Sequence, residues 1–207
     1  MSAPTAISKG AALEWHAAAT PIPGETALGD RAVVVSEDGH ALVAAVDGLG
    51  HGAAAAAAAQ EAISVLERSA GQDPAAAVLE CHRALHATRG AVLSLASIDL
   101  RNHTMTWLGV GNVEARLLRP AAPIPITESL LLHSGIVGHE LPRLSAQATE
   151  ITRGDVLIFA TDGIRRDFAD FLVPSGSCRD IAERLLDQNA LGSDDALVLV
   201  VRYLTRA

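Results

Sequence analysis

Four aspartates stand where apolar, strand-like runs begin or end. Asp30 precedes "RAVVVSE", Asp47 follows "ALVAAV", Asp162 follows "DVLIFAT" and Asp194 precedes "DALVLVV". In antiparallel pairing the end of one strand lies beside the start of its neighbour, so all four carboxylates can gather at one sheet edge. The Asp38-Gly39 pair sharpens this expectation. It favours a two-residue type I′ turn in which Glu37 faces His40 and, counting outward, Asp30 faces Asp47. Carboxylates held this close repel one another. Hard cations give such a cluster a chemistry: aspartate oxygens, a backbone carbonyl and water suit Mg²⁺ or Mn²⁺, and two ions about 3.5–4 Å apart can activate a water between them. The glycines after Asp47 and Asp162, Gly48 and Gly163, would let backbone or metal come close.

The elements that must position these residues are read from periodicity and turn signals. Arg31 to Val46 predicts a β-hairpin, and helices are expected from about Gly52 to Ser69 and from Asp73-Pro74 to Arg89-Gly90. The runs "AVLSLASID", "TMTWLGV" and "VEARLL", separated by turns at Asn102 and Gly111-Asn112, predict a three-stranded meander. A strand over "TESLLLH" precedes an exposed loop, Ser134 to Leu144, which would rim a site or simply connect. A buried strand at Asp155 to Ala160, a Ser177-capped helix to Asn189 and a last strand at Ala196 to Leu204 complete the chain. This order fits α+β layers better than alternating βαβ units. Trp15 and Trp107 read as core.

Composition narrows the function classes. The 207 residues suit one domain, 1–207, with 1–12 expected to be a flexible N-terminus, and 49% hydrophobic against 19% charged residues is globular composition. With 16 Lys and Arg against 24 Asp and Glu the net charge is −8, which disfavours a nucleic-acid partner. Cys81 and Cys178 lie far apart, as buried thiols of a reducing compartment do, and no structural zinc is expected. No secretory leader or uninterrupted membrane span is present, so a cytoplasmic protein without membrane attachment is expected.

Taken together, "VDGLGHG" at Val46 to Gly52, "GD" at Gly29-Asp30, "FATDGI" at Phe159 to Ile164 and "SDDALVLVV" at Ser193 to Val201 resemble the metal-binding motifs of the type 2C metal-dependent serine/threonine phosphatases. "GVGNVEARLLR" and "SGIVGHELP" narrow the resemblance to the small bacterial branch that includes the sporulation and stressosome phosphatases. The resemblance implies a four-layer αββα sandwich of two mainly antiparallel sheets flanked by helices, with two Mn²⁺ or Mg²⁺ ions at one end. It assigns Asp47 as the bridge between the ions, the Gly48 carbonyl and Asp30 to one of them, and Asp162 and Asp194 to the other. A water bridging the two ions would attack phosphorus directly. Substrates would be phosphorylated signalling proteins, the STAS-type domains of the stressosome.

The chain departs from larger members of that class. Thr26 stands where many have a phosphate-binding arginine, and Leu49 where a general-acid histidine directly follows the Asp-Gly pair; His51, two residues later, is the candidate acid. Arg165 and Arg166 are candidates for contacting phosphate or substrate. His82 and His86, four apart on a helix, have no third ligand nearby and read as a half-buried helix face. Two alternatives stay open. Gly48, Gly50 and Ala53 have the G-x-G-x-x-A spacing of a nucleotide turn, although no strand ending in an acid follows about 20 residues on, where Glu67 lies within a helix. A non-catalytic phosphatase-like scaffold is the other.

Overall fold

The computed structural model describes residues 6–7, 12–120, 126–170, 172 and 174–205. The first hairpin comprises β3 (Asp30–Glu37) and β4 (His40–Gly48), and its register is the expected one, with Glu37 opposite His40 and Asp30 opposite Asp47. Asp38 and Gly39 both adopt positive φ, 49° and 81°, as a type I′ turn requires. β4 continues antiparallel to β5 (Ala91–Asp99), and β5 to β6 (Thr104–Val110). The short β10 (Gln147–Glu150) and β9 (Leu132–His133) both pair with β6, and β1 (Ala6–Ile7) adds in parallel to β3 at Val34 and Val35. The second sheet runs β2 (Leu13–Thr20), β12 (Ala196–Tyr203), β11 (Val156–Ala160), β7 (Glu114–Arg119) and β8 (Ile126–Ser129) in spatial order.

Both sheets are apolar on two faces, which is why β4, β11 and β12 read as near-continuous hydrophobic runs. Val43 and Ala45 meet Leu157, Phe159 and Leu199 between the sheets. On the outer face of the first sheet, Leu42, Ala44 and Val46 pack against α1 (Gly52–Leu66) and α2 (Pro74–Ala84). On the outer face of the second, Val156, Ile158 and Val200 pack against α3 (Cys178–Asn189). The expected αββα sandwich of mainly antiparallel sheets is therefore the observed architecture. The alanine run serves this packing: Ala55, Ala58, Ala59 and Ala62 are buried, and their small side chains bring α1 close to the sheet.

Several local expectations need correction. The meander is broken at Gly111-Asn112, because β7 leaves β6 and joins β11 in the other sheet. The alternation of Val113, Ala115 and Leu117 continues to bury one face in the same core, so polarity alone carries no sign of the crossover. The single strand expected over "TESLLLH" is two strands, β8 pairing β7 and β9 pairing β6, one in each sheet. α1 stops at Leu66, where Glu67 to Ser69 form a turn, and α2 gives way to a 3₁₀ turn at Leu85–Ala87. The strands β2 and β10 were not expected. The segment 134–144 is only partly an exposed loop, since Val137 is fully buried and bridges Ala91. Trp107 is core, whereas Trp15 is only half-buried against it. Of the stretch 1–12, residues 1–5 and 8–11 lie outside the described residues, while Ala6 and Ile7 pair with β3.

Candidate metal centre

Each sheet brings two aspartates to the same end of the sandwich. Asp30 opens β3 and Asp47 lies directly opposite it near the end of β4. Asp162 follows β11, and Asp194 precedes β12, whose Val198 pairs with Ala160 of β11. Asp47, Asp162 and Asp194 line one open cavity of ≈ 440 Å³ together with Asn112 and the Ser134 to Ile136 segment. Asp30 lies outside that lining; it is 1% exposed and accepts a hydrogen bond from the Thr161 hydroxyl at 2.7 Å. Asp195, beside Asp194, is committed elsewhere. Its two oxygens accept the Ile22 and Gly29 amides at 2.7 and 2.6 Å, pinning the loop before β3. Asp194 is thus the member of the pair that faces the cavity.

The two glycines that follow aspartates are dictated by backbone contact. A Cβ on Gly48 would overlap the Ala55 carbonyl at the start of α1, and one on Gly163 would overlap the Asp195 carbonyl. Each Asp-Gly pair therefore ends a strand at a point where another segment crosses directly over it.

Electrostatics in the cluster is unfavourable to the bare carboxylates. Burial, then the charges of Asp162 and Asp194, push the Asp47 carboxyl up to about 7. Burial and Asp47 raise Asp30 well above the usual carboxylate range, against the Thr161 hydrogen bond. Asp162 is raised by burial and Asp194, and lowered by a hydrogen bond from Asn112 and by the charge of Arg166. Among the described residues, no three His, Cys, Asp or Glu side chains are already drawn together tightly enough to hold an ion. The donor set nevertheless fits hard divalent cations: three cavity carboxylates of one sign, on two sheets, with no ion pair to Lys, Arg or His among the described residues.

The remaining candidates separate cleanly. His51 is outside the cavity lining; its exposed ring lies with Nδ1 3.1 Å from Glu25 Oε1. Arg165 turns away and forms a two-pronged pair with Asp167, at 3.0 and 2.6 Å, whereas Arg166 acts on Asp162. Asn112, whose Nδ2 donates to Asp162 Oδ2 at 2.8 Å, belongs to the site although it was read only as a turn residue. Its place in the "GVGNVEARLLR" segment was the available signal. His82 and His86 clamp a loop instead of a metal: Gly138 N donates to His82 Nδ1 at 3.0 Å, and His86 Nδ1 lies 3.2 Å from Gly138 O. In the glycine turn two amides are spent within the fold, since the Gly48 amide donates to Gly29 O and the Leu49 amide to Gly90 O.

Two mainly antiparallel sheets between helix layers, with aspartates converging at one end of the seam, define a phosphoprotein phosphatase domain of the metal-dependent type 2C class. The chain belongs to the SpoIIE family: the family described as Stage II sporulation protein E matches residues 37–204. Phosphoserine phosphatase RsbX of Bacillus subtilis (strain 168) is 25% identical over 177 residues, 83% of this chain and 85% of RsbX. The crystal structure of RsbX in complex with magnesium superposes with a TM-score of 0.83, covering 95% of this chain and 98% of that one at 22% identity. A structure described as the bacterial stressosome, a modular system adapted to control secondary messenger signalling, is 30% identical, with a TM-score of 0.81 over 92% of this chain and 99% of that one. The catalytic domain of the serine/threonine protein phosphatase PstP in complex with two manganese ions gives a TM-score of 0.72, at 19% identity over 93% and 98% of the two chains.

Proposed function

We propose that this chain is a cytoplasmic, single-domain phosphatase that hydrolyses phosphoserine or phosphothreonine on stressosome-type regulatory proteins, using two Mn²⁺ or Mg²⁺ ions held by Asp47, the Gly48 carbonyl, Asp162 and Asp194, with Asp30 beneath them. The observation that carries it is the convergence of Asp47, Asp162 and Asp194 on one cavity from two different sheets. Support for the ions comes from this all-oxygen donor set and from the magnesium and manganese complexes of RsbX and PstP. Support for the substrate comes from the likeness to RsbX and to the stressosome structure.

Divalent ions bound there supply charge neutralisation at the phosphoryl oxygens and lower the pKa of water. The chain's own residues prepare that chemistry. Asn112 holds one oxygen of Asp162 and so fixes which oxygen faces the cavity. Thr161 and Asp195 keep Asp30 and the Ile22 to Gly29 loop in place, so the carboxylates are arranged before an ion arrives. Leu49, Val92 and Ile136 give the cavity an apolar wall. Arg166 offsets charge at Asp162.

The test is hydrolysis of a phosphorylated STAS-type domain by chelated protein, with and without added Mn²⁺. Restoration of phosphate release by the metal is expected. Metal binding without hydrolysis of either that domain or an aryl phosphate would leave the scaffold reading in its place.

A further inference from the structure

A phosphomonoester bound over Asp47, Asp162 and Asp194 carries about −1.5 to −2 charge at neutral pH, and its oxygens turned away from the ions are open to a further cation. Arg165 is committed to Asp167, and Arg166 acts on Asp162. A third arginine, Arg89, lies against the cavity lining at Gly50. Arg89 lies two residues beyond the 3₁₀ turn that follows α2, and the Arg89-Gly90 turn sits between Leu49 and Ile136 of the cavity lining. On one side the Leu49 amide donates to Gly90 O at 3.1 Å. On the other, a Cβ on Gly90 would lie 2.8 Å from Ile136 Cγ2 and 2.9 Å from the Val137 carbonyl, and Val137 exchanges backbone bonds with Ala91. Arg89 therefore has a fixed base.

Its guanidinium lies over Gly50. A Cβ at that position would be 3.0 Å from Arg89 Nη1, and Gly50 itself lines the cavity with φ of 81°, a conformation that keeps side chains away from this spot. Arg89 is exposed and, among the described residues, makes no hydrogen bond or ion pair. A guanidinium without a partner among the described residues, lying against Gly50 of a cavity that also holds three carboxylates, has the planar fork that binds two phosphate oxygens at once.

We propose that Arg89 binds the phosphoryl group of the substrate at the mouth of the cavity. This deepens the phosphatase reading and rests on it for the identity of the substrate, although the anion site can be tested alone. Inorganic phosphate is titrated calorimetrically into Mn²⁺-loaded wild type, Arg89→Gln and Arg89→Lys, with Mn²⁺ affinity and melting temperature measured on each. The glutamine variant should weaken phosphate binding about tenfold or more, and lysine should fall between, since it offers one point charge in place of a fork. Mn²⁺ affinity and melting should stay at the wild-type level, and KM for an aryl phosphate should rise more than kcat falls. Equal phosphate affinity in wild type and Arg89→Gln, or no phosphate binding by wild type, overturns the assignment. The two readings fail separately. If Arg89→Gln loses phosphate binding in a protein that hydrolyses nothing, the anion site stands and the phosphatase reading falls; normal hydrolysis that is indifferent to Arg89 does the reverse.

Discussion

Asp30 and Asp155 are each 1% exposed, and they sit at opposite ends of the same sandwich in opposite company. Asp155, just before β11, receives Arg119 at 2.9 Å and the Thr152 amide at 2.9 Å. The same arginine reaches Glu128, Thr149 and the Glu150 carbonyl, so its guanidinium ties β7 and β8 of one sheet to β10 of the other. Arg202 with Glu14, and Tyr203 with His103, complete a paired end. At the other end Asp30 has a hydroxyl, and its nearest charged neighbour is another aspartate. Burial is equal and pairing is not. A fold that can match buried acids with arginine at one end, and leaves them unmatched at the other, has reserved that other end for charge brought from outside.

The comparison can be broken hardest at Asp47. Asp47→Asn should lower turnover about a thousandfold or more, while the chelated variant melts at a higher temperature than chelated wild type because a repelling charge is gone. Unchanged turnover, or a lower melting temperature, would show that the acidic end is not held at the expense of stability. Substitution at the paired end should do the opposite. Arg119→Ala strands Asp155 in the interior and should destabilise by about 3 kcal/mol in denaturant titrations, with turnover per folded molecule unchanged. Asn112→Ala releases one oxygen of Asp162 and should weaken Mn²⁺ binding about tenfold in calorimetry while leaving melting of the chelated protein almost unaltered.

The comparison can also be sharpened in the pH profile. In chelated protein the Asp47 carboxyl titrates near 7, whereas an unfolded aspartate titrates at about 3.9. Between those values the folded chain keeps a proton that the unfolded chain has released, so stability should fall as pH rises from about 4 and level off above about 7. Holding that proton between about 3.9 and about 7 is worth about 4 kcal/mol, on the order of ten degrees of melting temperature for a domain of this length. Mn²⁺, which competes with those protons, should remove or reverse it; a chelated protein whose stability climbs over the same window would contradict the raised carboxyl.

The site was legible in the sequence to the extent that it depends on local register. Asp38-Gly39 sets the turn, the turn sets the pairing, and the pairing places Asp30 opposite Asp47. Asp162 and Asp194 followed from strand polarity. What depends on long-range contact was not legible. Asp195 looks interchangeable with Asp194 until its oxygens are seen on the Ile22 and Gly29 amides, more than 160 residues away in the chain. β2 was missed because "LEWHAAAT" lacks a β-branched alternation; its strand is made by pairing with β12. The β6 to β7 crossover was missed because adjacent strands in sequence ordinarily pair, and only the choice of partner, not the polarity of the residues, distinguishes a hairpin from a change of sheet.

The 2.7 Å bond from Thr161 to Asp30 joins residues of different sheets, Asp30 in β3 and Thr161 at the end of β11. The carboxylates above it are divided in the same way. Anything bound between them acts as a clasp on the sandwich, and the sandwich in turn acts as its gauge. Sliding or splaying of the sheets changes the spacing of Asp47 from Asp162 and Asp194, so ion affinity and inter-sheet breathing are two readings of one equilibrium, and each must shift the other by the same factor. Slow exchange of the β4 and β11 amides should therefore rise and fall together with occupancy of the cavity.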